Sequence, residues 1–201
     1  MNIYIIDTCS ILDLAKYYNL KKFASLWKNL DSMLKEGRLH IINYVYNEIV
    51  HDELGFATEG DTDTATKWIS ERKNYVINLS DDVSIYTTVQ KIIEKFPYSA
   101  DIEKLPPDAD PFLVAYALSC KKQQRLSIQE LCYVIVTEER RNFEKKNIEQ
   151  MKTQSGPFPS ITKIRSICDF YKIQTMNCQE LFLAEGWEFK SRDKTFLENL
   201  S

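Results

Sequence analysis

The chain has 201 residues and a formal net charge of −3, with 44% hydrophobic and 27% charged residues and only 5 Gly and 6 Pro. That balance suits one globular domain with its own core, and it excludes a collagen-like, low-complexity or strongly basic nucleic-acid-binding chain. No apolar run approaches the roughly 20 residues of a membrane-spanning helix. The opening MNIYIIDTCS has no basic region and its apolar run is broken by Asp7, so it does not read as a signal peptide. No membrane association and a cytoplasmic location are expected.

Residues 3–6 (IYII) form a continuous apolar, β-branched run, the pattern of a strand buried on both faces. After Asp7-Thr8 the apolar residues 11, 12, 14 and 15 take helical spacing. A second amphipathic stretch covers 20–34, with Gly37 as its C-terminal stop. Residues 39–42 (LHII) predict another strand and 45–50 (VYNEIV) a helix. The polar segment 55–64 (GFATEGDTDT) reads as a loop leading into a helix over 65–72. Asp81 or Asp82 can cap a helix that carries Val83, Tyr86, Val89, Ile92, Ile93 and Phe96. Leu105-Pro106-Pro107 stops any helix, and Asp108-Ala109-Asp110-Pro111 starts the next, with Asp110 as N-cap and Pro111 at the first helical position. Residues 112–119 then form a nearly all-apolar, deeply buried helix.

Residues 132–136 (CYVIV) make a third buried strand, ending in Thr137-Glu138-Glu139. Residues 152–160 (KTQSGPFPS) are a loop. A helix over 161–171, a short strand over 173–176 and a helix over 179–185 follow. The tail from residue 190 is polar and expected to fray. Alternating buried strands and helices predict an α/β fold with a mainly parallel sheet, in a single domain over 1–201. The five cysteines include no CxxC pair and read as reduced, small hydrophobes.

In such sheets ligands bind outside the carboxyl ends of the strands, and several acids fall there. Asp7 follows the first strand, Glu48 lies in the helix after the second, Asp110 opens the buried helix, and Glu138 and Glu139 follow the third. Like charges brought together are costly unless a cation neutralises them. Carboxylate oxygens are natural ligands for magnesium or manganese, and metal-assisted phosphodiester hydrolysis needs this arrangement. Each acid also has a bland role. Asp7 and Asp110 can be helix caps, Glu48 a solvated helix residue, and Glu138 and Glu139 the start of the charged run EERRNFEKK on a solvated helix face. Two histidines, His40 in a strand and His51 after a helix, give a His-based triad little to work with. No GxGxxG or GxxxxGK[ST] phosphate loop occurs.

YIIDTCSILDL, YNEIV, DADPFLVAYAL and VIVTEE, in that order, resemble the motifs of PIN domains. The likeness is to the PIN-like group catalogued as a domain of unknown function (DUF4411), extending into KIRSICDFYKIQTMNCQELF. This resemblance implies a three-layer α/β/α fold and cleavage of RNA with Mg2+ or Mn2+. Many relatives are VapC-like toxins held inactive by a protein antitoxin, and a homodimer fits the group. By motif, Asp7 and Asp110 would be metal-binding catalytic acids and Glu48 the acid of the second motif. Glu139 would be the fourth acid, with Thr137 orienting a ligand or water; Asp108 and Glu138 are additional candidates. Glu139 departs from the Asp usual in PIN domains, and Glu138 could serve instead. RNA contact would fall to Lys21, Lys22, Arg140, Arg141, Lys145 and Lys146. Other readings of the acids are a catalytically silent RNA- or protein-binding module, a metal phosphatase, or a DNA-directed metal nuclease.

Overall fold

Ile3 to Ile6 leave no polar alternation, so both faces of that strand must be covered, and this places it in the middle of a sheet. In the computed structural model it is β1 (Asn2–Ile6), with β2 (Leu39–Ile42) on one side and β4 (Cys132–Val136) on the other. Two short strands, β3 (Val76–Ile77) and β5 (Gln174–Met176), add to the outer edges. The five strands run in the order β3-β2-β1-β4-β5, and every pairing is parallel. The structure describes residues 1–51, 59–101, 107–124, 131–153, 155–158 and 161–187.

Parallel strands need long crossovers, and helices supply them. α1 (Thr8–Tyr17) and α2 (Ala24–Lys35) join β1 to β2; α3 (Asn43–Val50) and α4 (Glu59–Ser70) join β2 to β3. α5 (Val83–Lys95) and α6 (Asp110–Gln124) carry the chain across to β4, and α7 (Lys145–Met151) and α8 (Ile164–Phe170) on to β5; α9 (Cys178–Ala184) follows. Right-handed crossovers put α1 to α4 on one face and α5 to α8 on the other. The packing agrees, because α1, α3 and α4 touch one another while α6 touches α5 and α8. The fold is a three-layer α/β/α sandwich. Among the described residues no helix is long and apolar enough to cross a membrane.

Local signals in the sequence explain several boundaries. Gly37, at φ +67°, ends α2 in a Schellman arrangement: the Arg38 N–H donates to Met33 O (2.8 Å) and the Gly37 N–H to Leu34 O (3.1 Å). The Asp82 side chain caps α5 through the N–H groups of Ser84 and Ile85. Aromatic packing locks the helices that matter for the site. Tyr44 of α3 stacks on Phe112 of α6, with ring centres 3.5 Å apart, and its hydroxyl meets that of Tyr86 on α5 at 2.6 Å.

Three expectations need correction, and two elements were not expected. The helix placed at 65–72 begins at Glu59, so much of the presumed loop is helical backbone; residues 55–58 lie outside the described residues. Asp110 is not the cap of α6 but its first residue, since the Ala109 carbonyl already accepts from Leu113 N (2.9 Å). The helix placed at 161–171 starts at Ile164, because Lys163 is extended and its N–H is held by Asn142 Oδ1 (3.1 Å). α7 and β3 have no counterpart in the sequence reading: one has a single buried residue, Ile148, and the other spans two residues. The tail from residue 190 lies outside the described residues.

Candidate active site

Strand order reverses beside β1, whose successors in sequence lie on one side and β4 on the other. Such a switch point opens a crevice at the carboxyl ends of the two central strands. The register pairs Ile6 with Val136, so the next residues, Asp7 and Thr137, stand side by side at that edge. The Asp7 N–H donates to Val136 O (3.0 Å), and the Thr137 hydroxyl donates to Asp7 Oδ2 (2.8 Å).

Asp7 is 4% exposed and does cap α1, through Oδ1 and Thr8 N (2.6 Å). Its other oxygen also receives the Cys9 thiol at 2.8 Å. Burial pushes its carboxyl above the usual range, the Cys9 and Thr137 hydrogen bonds oppose this, and the Glu139 charge adds to it. Capping and a role in the crevice are compatible, because the cap occupies one oxygen.

Glu48 reaches the same place from α3. Thr8 Oγ1 donates to its Oε2, and Ala109 N donates to its Oε1 (2.7 Å), so one carboxylate ties the start of α1 to the approach to α6. Burial pushes it up to about 7, against those two hydrogen bonds and with help from the charges of Asp7 and Asp108. Asp110, in the first turn of α6, accepts no hydrogen bond among the described residues. Its carboxyl is pushed well above the ordinary value by burial, then by Asp7, Glu139 and Glu48, with Lys163 opposing.

The two acids after β4 part company. Glu139, with its side chain 23% exposed, accepts from Lys163 Nζ (2.8 Å) and Ile164 N (3.2 Å), and its charge acts on Asp7 and Asp110. Glu138 instead accepts from Cys178 N at the start of α9 (2.7 Å), and its charge falls on Asp13, Tyr18 and Cys178. Asp108 stands at the rim, taking Asp101 N on its Oδ2 (2.8 Å). The structure thus brings Asp7, Glu48, Asp110, Glu139 and Thr137 together and leaves Glu138 turned towards α9. Replacing Glu139 by Gln should accordingly reduce activity at this site by about tenfold or more, on the scale of an outer partner of a metal. The Glu138→Gln variant should keep activity and lose a little melting temperature. Parallel rate and melting measurements on the two variants check this, and the reverse order would move the fourth acid to Glu138.

Three neighbours have no simple signal in the sequence. Cys9 is a hydrogen-bond donor to Asp7, where a small hydrophobe was expected; its place two residues after Asp7, in the first turn of a helix, was the available clue. Arg165 donates to the Thr137 carbonyl (2.7 Å) and so fixes the chain between the acids. Lys163 is 24 residues beyond Glu139, and only the folded path through α7 makes them partners. All five cysteines are free, with Cys120, Cys168 and Cys178 buried. His51 is exposed at the end of α3, and His40 in β2 bonds Tyr116 (3.0 Å) away from the crevice.

Among the described residues, no group of three or more His, Cys, Asp or Glu side chains is gathered closely enough to hold a metal ion as the side chains stand. Protein donors occupy Asp7, Glu48 and Glu139. The donor chemistry nevertheless fits a hard divalent cation. The set consists of carboxylate oxygens, the proton affinity of Asp7, Glu48 and Asp110 is raised by burial and neighbouring negative charge, and among the described residues the Asp110 carboxylate has no protein donor. Among curated proteins and among solved structures, no match to the chain was found. Residues 4–189 match the family described as a domain of unknown function (DUF4411), and over that span the chain belongs to it.

Proposed function

We propose that the chain is a divalent-metal-dependent endoribonuclease of PIN-like type, acting as the toxin of a toxin–antitoxin pair. The observation that carries this reading is the meeting of four carboxylates, from four separate segments, at the switch point of a parallel sheet, where burial and neighbouring negative charge raise the pKa of Asp7, Glu48 and Asp110. A bound Mg2+ or Mn2+ supplies Lewis acidity towards phosphate oxygens and lowers the pKa of a water.

Asp110 and Asp7 would hold the ion, with Glu139 at its edge. Asp7 Oδ2 is oriented by the Thr137 hydroxyl, whose own backbone is held by Met176 O and Arg165. Glu48, poised near neutral pH, can hold or release a proton at its carboxylate in the working range of a general base. Buried apolar residues behind Asp110, among them Phe112, Leu113 and Val114, keep water away from the inner side of the site.

The test is a substrate panel. RNA should be cut with magnesium or manganese and left intact with EDTA, while single-stranded DNA and a phosphomonoester are cut at least about a hundredfold more slowly. Preference for DNA would support the DNA-directed nuclease. A second reading, a catalytically silent RNA- or protein-binding module, draws on the protein donors that already occupy three of the four carboxylates. Cleavage of nothing in the panel, with no metal binding by calorimetry, would favour it. The antitoxin would be a protein encoded beside this chain, and co-expression should restore growth; sedimentation settles whether the chain is a homodimer.

A further inference from the structure

Lys163 stands out among the cations of the molecule because its position is fixed from three sides while its side chain stays half exposed, at 50%. Its N–H is held by Asn142 Oδ1 (3.1 Å), and its carbonyl accepts from Ser166 N (2.9 Å) and Ile167 N (3.2 Å). Its ammonium rests on Glu139 Oε1 at 2.8 Å, and Glu139 is itself anchored by the neighbouring Ile164 N–H. An ordinary surface lysine keeps many rotamers, and pairing it gains little. Here the backbone, the tether and the tether's anchor are all set. Among the described residues, Lys163 is the only cation ion-paired with any of the four carboxylates. Its charge also acts on Asp110.

An ammonium has three N–H donors, and Glu139 takes one of them. Among the described residues Nζ has no other protein partner, so two donors are left for an anion brought in beside a cation. We propose that Lys163 is a further catalytic residue, whose ammonium, tethered to Glu139 beside Asp110, binds a non-bridging oxygen of the RNA phosphodiester. This rests on the ribonuclease reading above. The lysine would act as a fixed positive charge on the phosphoryl oxygens, remaining protonated throughout, so it neither gives nor takes a proton. It also gives Glu139 a use that differs from that of a metal ligand: the longer side chain reaches past the carboxylates to hold the lysine in place.

The experiment measures binding of a short single-stranded RNA by fluorescence anisotropy, with calcium in place of magnesium, from 50 to 200 mM salt. It compares wild type, Lys163→Met, Lys163→Gln, Lys163→Arg and Glu139→Gln, with melting curves for each. One lost phosphate contact should lower the slope of log K against log salt by about 0.7. Lys163→Met and Lys163→Gln should show that loss, bind about tenfold more weakly, and cut RNA on the order of 10²-fold more slowly with magnesium. The Arg variant should recover the slope. Glu139→Gln should keep the wild-type slope, because the ammonium remains.

If wild type binds and cuts RNA while Lys163→Met and Lys163→Gln keep its slope, the inference on Lys163 is overturned and the ribonuclease reading stands. If wild type neither binds nor cuts RNA, the functional reading fails, and this inference fails with it.

Discussion

Asp7→Asn should lower RNA cleavage on the order of 10³-fold, beyond the roughly 10–100-fold typical of losing an outer partner of a metal. Asp7 lies at the carboxyl end of the central strand, and the charges of Glu48 and Asp110 both respond to it. The substitution is nearly isosteric. The amide oxygen can still take Thr8 N and keep the cap of α1, so the fold should survive. The amide nitrogen then faces Cys9 and Thr137, two groups that donate to the carboxylate in the wild type. Their reorientation costs some stability, while loss of a buried negative charge returns some. Wild type should slow the growth of an expressing culture and yield new RNA ends, and Asp7→Asn should do neither. Magnesium or manganese should raise the melting temperature of the wild type and raise that of the variant much less. Equal toxicity and equal metal response from the two proteins would remove Asp7 from the site.

The second large effect is on stability against pH in metal-free buffer. Glu48 is raised from an ordinary 4.5 to about 7 in the folded protein. The folded state therefore binds this proton more tightly than the unfolded chain does. Its contribution to stability is complete below about pH 4.5 and is lost as the pH rises through about 7. At roughly 1.4 kcal/mol per unit the loss is about 3 kcal/mol, or roughly 6–12 °C in melting temperature for a chain of this size. Asp7 and Asp110 are raised as well and act in the same direction. Metal-free wild type should therefore melt lower at pH 8 than at pH 5, and Glu48→Gln should flatten the profile. Gln suits the position, because its oxygen can accept from Ala109 N while Thr8 Oγ1 turns to accept from its amide. A divalent cation should flatten the wild-type profile too. A melting temperature that rises from pH 5 to pH 8 would show that the carboxylates are not strained.

The elements readable in the sequence are those with an unbroken local pattern. β1, β2 and β4 are apolar runs, Gly37 marks a helix end, and Asp82 precedes a clear helical period. Elements without such a pattern were hidden. α7 lies inside a charged run and buries only Ile148, and β3 is too short to show alternation. The start of α4 is polar over a full turn and imitates a loop. The acids were legible because parallel strands deliver their carboxyl ends to one edge. Which of Glu138 and Glu139 faces that edge depends on turn geometry after Thr137, which residue type does not reveal. The partnership of Lys163 with Glu139 depends on how α7 and α8 fold back, which no local window contains.

The hydrogen bond between Thr137 and Asp7 joins residues 130 positions apart. β1 is made about 130 residues before β4 and must wait for it before its second flank is covered. At roughly 5–20 residues per second, ribosomal synthesis puts about 7–26 s between the two. For that interval an apolar strand has one flank open, and the carboxylate that follows it remains in water, unburied and without Thr137. Whatever chemistry the crevice performs cannot begin on a growing chain until β4 has left the ribosome; on the ribonuclease proposal, the chain would be made beside ribosomal RNA while its site is still in pieces.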